Sequence, residues 1–277
     1  MKKPKIKKLI LSGGGIKGIA IAGAIEKLDE EISILSTVDT IIGTSISAYI
    51  ALFLAIGLSI KKIIAIFSNI NFLEFQEFDI NLLLSKYGMD EMNKFISFFK
   101  AILSTQNINN NITFKELAEI SKYNIIIVGT NITKSKPIYF SSKDTPDIPV
   151  ITAVRISGCY PFAFTPVEMD GEIYADGGLV SPIATELIEK KDKKHTLGIV
   201  LHRSFDKYET NDLQSYSIGV MSCMIDSLID SKLLLLKHYI KLSYPINSMD
   251  IGIDREVKNK MCQYGKEKAQ EWLNQFS

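Results

Sequence analysis

The sequence predicts an α/β fold of three layers, with a mostly parallel central sheet flanked by helices. Three observations carry that expectation. Apolar runs of strand length at 7–11, 38–42, 124–128 and 196–201 alternate with segments of helical period, the pattern of a layered parallel sheet. Three glycine-bearing motifs each close a predicted strand, and ligand sites in such sheets lie at the carboxyl ends of strands. A chain of 277 residues, 46% hydrophobic and 23% charged, is long enough to bury a full core.

Taken in order, KKLIL at 7–11 stops at glycines, as a buried strand entering a tight loop does. Residues 16–29 set Ile16, Ile19, Ala20, Gly23, Ala24 and Leu28 near helical spacing, with charges at the far end. Val38 to Ile42 is a second buried strand that turns at Gly43-Thr44-Ser45 into an apolar helix over 46–56. A helix apolar all round is expected where a sheet and further helices cover it. Helices follow at 59–68, in broken form over 72–86, and over 89–103 with Met92, Phe95, Ile96, Phe99 and Leu103 on one side. Thr113 with Glu116 three residues on predicts a capping box. Strands are expected at 124–128 and 138–140, a short helix at 150–157 stopped by Gly158 and Pro161, and a strand at 172–175. The spacing then predicts a helix over 182–190, a strand over 196–201, and helices over 213–240 and 254–275.

A formal net charge of +1 gives no electrostatic footing for a nucleic-acid partner. Cys159, Cys223 and Cys262 are odd in number, widely spaced and without a metal-ligand pattern, which fits a reducing compartment. The lysines before Leu9 resemble a signal-peptide n-region, but the apolar stretch Leu9–Leu11 is too short for an h-region. Thr40 to Ile60 holds 21 residues without a charge, the length of a bilayer span. The polar cluster Gly43-Thr44-Ser45, with Ser47, instead favours a strand leading into a soluble core helix.

The first motif is Gly13-Gly14-Gly15-Ile16-Lys17-Gly18. Consecutive glycines let backbone N–H groups converge on an anion beside the positive end of a helix. Gly13, Gly15 and Gly18 also match GxGxxG, but Asp39 begins the next strand rather than ending it, where a ribose partner should stand. The second motif, Gly43-Thr44-Ser45-Ile46-Ser47, is a nucleophile elbow with Ser47 in place of the usual second glycine, or equally a serine N-cap. A side chain two positions into the helix points away from that of Ser45. The third, Asp176-Gly177-Gly178, is a turn signal at the end of an apolar strand. A buried aspartate there could take a serine proton directly.

In this order, GGGIKG, GTSIS and DGG, with ISGCYPFAFTPV at 156–167 just before the last, resemble the patatin-like phospholipase family over about residues 7–202. The resemblance implies a modified α/β-hydrolase sheet and a serine acyl hydrolase that cleaves phospholipid or lysophospholipid esters through an acyl-enzyme, without cofactor or metal. It implies Ser45 as nucleophile, Asp176 as base, and Gly13, Gly14 and Gly15 as oxyanion donors. Lys17, Gly18, Gly43, Gly177 and Gly178 support them. It further implies a cytoplasmic protein meeting the membrane surface transiently. The catalytic part is expected over 1–205, with a helical part over 206–277 laid on the same domain.

Two other readings stand beside it. The chain order Ser45, Asp176, His202 is that of an α/β-hydrolase triad, and His202 ends a predicted strand, whereas His195 and His238 do not. The Ser47 departure leans toward a lipid-binding protein with a vestigial site.

Overall fold

The computed structural model describes residues 3–202, 213–247, 250 and 252–276. Strand β1 (Lys8–Leu11) leads through the glycine loop to α1 (Gly18–Ile32), then a single turn α2 (Ile34–Thr37) and β2 (Thr40–Thr44). Helix α3 (Ile46–Ala55) buries every residue, so the uncharged stretch 40–60 is divided between a central strand and a core helix. No helix among the described residues is long and apolar enough to cross a membrane.

Next come α4 (Ile60–Asn69), α5 (Ile80–Lys86), the short strand β3 (Gly88–Asp90) and α6 (Asn93–Thr105). The apolar stripe of α6 turns inward, with Phe95 and Phe99 in contact with the ring of Tyr49 on α3. Helix α7 (Phe114–Ile120) starts on the expected capping box: the Thr113 hydroxyl accepts from the Glu116 amide while the Glu116 carboxylate accepts from the Thr113 amide. Strands β4 (Asn124–Asn131) and β5 (Lys136–Phe140) form an antiparallel pair, followed by α8 (Val150–Gly158). Three short strands, β6 (Phe162–Phe164), β7 (Val167–Met169) and β8 (Glu172–Asp176), precede β9 (Thr196–Leu201). The chain closes with α9 (Leu213–Leu233), β10 (His238–Leu242) and α10 (Arg255–Asn274).

The main sheet runs β10-β9-β1-β2-β4-β8-β7, with β5 also on β4. Its first five strands are parallel, while β5, β7 and β8 run antiparallel to their neighbours. Ile10, Ile42, Val128 and Val200 point to one face and Leu9, Leu11, Ile41, Ile127, Leu197 and Ile199 to the other. Helices cover both, as the sequence predicts. Where α1 crosses α10, a Cβ on Gly23 would stand 2.1 Å from the Cys262 carbonyl oxygen, and one on Gly265 1.9 Å from that of Ala20. The two backbones therefore touch.

Two expected helices are corrected. Over 182–190 only one 3-10 turn forms, Thr185–Leu187. Adjacent Ile183 and Ala184 are both fully buried, and Glu186 is drawn to Ser181 and Lys232, so tertiary contacts override a weak period. The helix over 213–240 ends at Leu233, and β10 comes next. There Ile240 and Leu242 are buried while Tyr239 and Lys241 are exposed, the two-residue alternation of a strand. The division placed at 205/206 lies outside the described residues. Strand β10 joins the same sheet as β1, and α10 lies on α1.

Candidate active site

Strand pairing brings Ser45 and Asp176 together. β2 pairs with Asn124 to Val128 and β5 with Ile127 to Asn131. The overlap puts them on opposite edges of β4. β8 pairs with Gly129 to Asn131, overlapping β5, so it continues the β2 edge from the other direction. β2 ends with Thr44 opposite Val128, and β8 ends with Asp176 opposite Gly129. The two strands meet end to end.

Just past that junction Ser45 has φ 56° and ψ −126°, a conformation L-residues avoid and functional sites retain. Its amide donates to Ser157 Oγ at 2.8 Å, and that hydroxyl donates to the Val128 carbonyl at 2.6 Å. Ser157 therefore holds the turn to β4. The turn also needs Gly43, where a Cβ would come within 2.5 Å of the Ser47 carbonyl oxygen. Ser47 is fully buried, and its hydroxyl donates to the Ser12 carbonyl at 2.7 Å, away from Ser45.

Ser45 Oγ donates to Asp176 Oδ2 at 2.6 Å, and the Gly178 amide donates to Oδ1 at 2.7 Å. Gly177 lies over β4, where a Cβ would meet the Val128 carbonyl oxygen at 2.3 Å. Asp176 is 2% exposed. Burial pushes its carboxyl up to about 6, against the hydrogen bonds from Ser45 and Gly178. A carboxylate so placed is ionised at neutral pH yet far more basic than one in water.

The glycine loop lies against the same serine. A Cβ on Gly13 would stand 3.0 Å from Ser45 Cβ, and Gly14, at φ 152°, would clash with Leu201 at 2.5 Å. Gly15 takes φ 54°. Among the described residues the amides of Gly13, Gly14 and Gly15 donate to no protein acceptor. Ser12 anchors the loop: its hydroxyl donates to the Gly13 carbonyl and accepts from the Leu201 amide at 2.8 Å. Gly18 starts α1 against Ile46. Lys17 is 3% exposed, and burial pushes its ammonium down to about 8 despite the Asp226 carboxylate.

Two cavities meet at Ser45. One of about 160 Å3 is bounded by the glycine loop, Lys17, Asp176, His202 and Asp226. The other, of about 100 Å3, is aromatic and apolar, walled by Tyr49, Phe72, Phe75, Met92 and Phe95. The His202 ring stands 3.0 Å from Asp230, and its amide donates to Leu242. His195 faces the Lys5 carbonyl, and His238 lies against Trp272 and Phe276. The Ser45 hydroxyl reaches Asp176 without a histidine between them. Among the described residues no cluster of His, Cys, Asp and Glu could hold a metal ion.

Sequence reasoning misses Ser157 and Ser12. Ser157 lies in the stretch ISGCYPFAFTPV and Ser12 directly precedes the glycines, but their partners are 112 and 189 residues away.

The solved structures that resemble this chain share its layered architecture. VipD from Legionella pneumophila superposes with a TM-score of 0.68 at 19% identity, over 99% of this chain and 67% of that one. ExoU from Pseudomonas aeruginosa, solved with SpcU, gives 0.58 at 17% identity over 99% of this chain, which spans 53% of ExoU. A family model for patatin-like phospholipase matches residues 9–187. The chain is 30% identical over 276 residues to an uncharacterized protein of Acanthamoeba polyphaga mimivirus, covering 94% of this chain and 91% of that one. It is also 30% identical over 228 residues to a probable lipid hydrolase of Invertebrate iridescent virus 6, covering 78% and 77%. The chain belongs to the patatin-like phospholipase family, a family of lipid acyl hydrolases.

Proposed function

We propose that the protein hydrolyses phospholipid or lysophospholipid esters with Ser45 as nucleophile and Asp176 as its only base. The observation that carries this reading is the 2.6 Å hydrogen bond from a strained serine to a buried, basic carboxylate. Asp176 takes the Ser45 proton as Oγ attacks the ester carbonyl carbon. The free amides of Gly13, Gly14 and Gly15 hold the oxyanion that forms. The C–O bond then breaks, the leaving alcohol takes the proton from Asp176, and the acyl group stays on Ser45. Water attacks next, giving its proton to Asp176, which passes it to Ser45 Oγ as the acyl–Oγ bond breaks and the fatty acid leaves. The aromatic cavity accommodates the acyl chain. The cavity with Lys17 accommodates the polar part of the substrate, where a buried cation favours a phosphate.

A fluorophosphonate probe tests the assignment. It is expected to label Ser45 alone, and Ser45→Ala and Asp176→Asn are each expected to abolish ester hydrolysis in folded protein. His202→Ala should keep about a tenth of the rate or more, because losing a true triad base costs orders of magnitude. A His202→Ala protein as inert as Ser45→Ala would replace the dyad with a triad. Absence of any labelling would favour a vestigial lipid-binding site.

A further inference from the structure

Helix α5 fully buries none of its residues, although Ile80, Leu82, Leu83 and Leu84 are four of its seven; Leu82 and Leu83 are half-buried and Ile80 and Leu84 exposed. Ile80 is 65% exposed and Leu84 88%. Leu73 and Phe78 before the helix and Tyr87 after it are exposed as well. Phe162 adds another exposed ring, because β6 pairs with β3 directly beyond α5, Gly88 opposite Phe162. One exposed apolar side chain is ordinary; a contiguous run of them marks an interaction surface.

Position says what that surface meets. The 3-10 turn Phe72–Phe75 just before α5 supplies Phe72 and Phe75 to the wall of the aromatic cavity, while β3 just after it and β6, paired to β3, supply Asp90 and Phe164. That cavity reaches Ser45. The exposed patch thus sits on an excursion of the chain whose two ends are part of the wall of the apolar cavity. A protein docked here would seal the cavity, whereas a lipid surface would open into it.

Charge narrows the choice further. Over 72–94 the acidic residues that reach the surface are Glu74, Glu77, Asp79 and Glu91, Asp90 being buried with its carboxylate on the Glu77 and Met92 amides. The basic ones are Lys86 and Lys94, engaged by Glu91 and Glu77. A net acidic surface is repelled by anionic headgroups and tolerates zwitterionic ones.

We propose that α5 and its flanking turns are a docking surface for zwitterionic bilayers, inserting their apolar side chains at the interface and admitting an acyl chain to the cavity beside Ser45. Only the use of the cavity rests on the hydrolase reading above. Docking itself is an apolar insertion and does not depend on catalysis.

The test is flotation of the full chain with phosphatidylcholine vesicles, carried out on Ser45→Ala protein so that turnover cannot alter the lipid. Binding is expected, unweakened by 0.5 M salt and not improved by adding phosphatidylserine, since apolar insertion is not screened. Ile80→Glu with Leu84→Glu is expected to lower binding at least about tenfold, each buried charge being costly at the interface. In the Ser45 protein the same pair should leave hydrolysis of a monomeric ester within about twofold, because neither side chain lines a cavity. Leu84→Trp keeps the idea testable if the double variant fails to fold. Trp272, the chain's one native tryptophan, is buried, so a blue shift and quenching by brominated lipid report insertion at position 84. Binding that is absent, indifferent to both substitutions or dependent on anionic lipid would overturn the proposal. So would a dimer in solution that the double variant dissolves. Vesicle binding without ester hydrolysis would leave docking standing and remove the hydrolase reading; hydrolysis without α5-dependent binding would do the reverse.

Discussion

Ser45 stands at backbone angles that cost a non-glycine residue about 1–3 kcal/mol. Gly43, buried α3 and the Ser157 hydrogen bond hold it there. Ser45→Gly relieves that strain and Ser45→Ala does not. Both should be inactive, but the glycine variant should be about 1 kcal/mol more stable in urea unfolding, less the entropy glycine adds to the unfolded chain. Equal or reversed stabilities would mean the turn stores no strain. Two neighbouring groups are expected to set the pH dependence of the proposed reaction. As the proposed base, Asp176, pushed up to about 6, must be ionised to take a proton, so kcat/KM is expected to fall as pH drops through 6. Lys17, pushed down to about 8, loses its charge as pH rises through 8, and an alkaline limb is expected there on a phosphate-bearing substrate. Lys17→Met should flatten the alkaline limb on a phosphate-bearing substrate and keep the acid one. Stability carries its own signature. The native state holds the Asp176 proton at pH values where the unfolded chain has released it, so this group's contribution falls as pH rises from 3.8 to about 6. Asp176→Asn should remove that slope from a series of urea melts.

The elements around the site are tied by serine hydroxyls rather than by charge. Ser157 on α8 bridges the Ser45 amide and the Val128 carbonyl, so Ser157→Ala leaves a buried donor and a buried acceptor without partners. The expected cost is about 1–3 kcal/mol. Because the loosened turn carries Ser45, kcat and the fluorophosphonate labelling rate should fall together while KM changes little. A loss of stability with an unchanged labelling rate would reduce Ser157 to packing. The sequence exposes Ser45 and Asp176 because each ends a β-branched or apolar strand and precedes a local turn signal that one chain segment displays. Thr113 and Glu116 are legible for the same reason, being three residues apart. Ser157 and Ser12 are not, since what they hold is fixed by strand pairing over more than 100 residues. Length decides other cases. β3, β6 and β7 have three residues each, too few to show a period. The leucine run 233–236 hides the start of β10 because it extends the apolar content of α9 without a break.

At the scale of the whole molecule, the part matched to the family stops at residue 187, yet the site depends on the strands and helix beyond it. β9 pairs along the full length of β1, and the Ser12 amide donates to Ile199 while the Ser12 hydroxyl accepts from Leu201. The glycine loop is thus placed by a strand outside the matched segment. β10 then covers the outer edge of β9, and α10 closes on α1, the helix that the same loop opens. Removing residues 206–277 would leave β9 as an open edge and strip the cover from Ala20, Gly23 and Glu26 on α1, a hazard for association between chains. We expect the fragment 1–205 to aggregate and to take up no fluorophosphonate, even though it contains Ser45, Asp176 and all three motifs. Gly265→Ala is the gentler version of the same experiment, since its methyl would stand 1.9 Å from the Ala20 carbonyl oxygen and must push α10 off α1. Overpacking of this kind costs about 1–3 kcal/mol. A melt of Gly265→Ala should therefore show a lower Tm with labelling at Ser45 retained below it. A soluble, reactive 1–205 fragment would instead show that the C-terminal elements are an addition to a site complete without them.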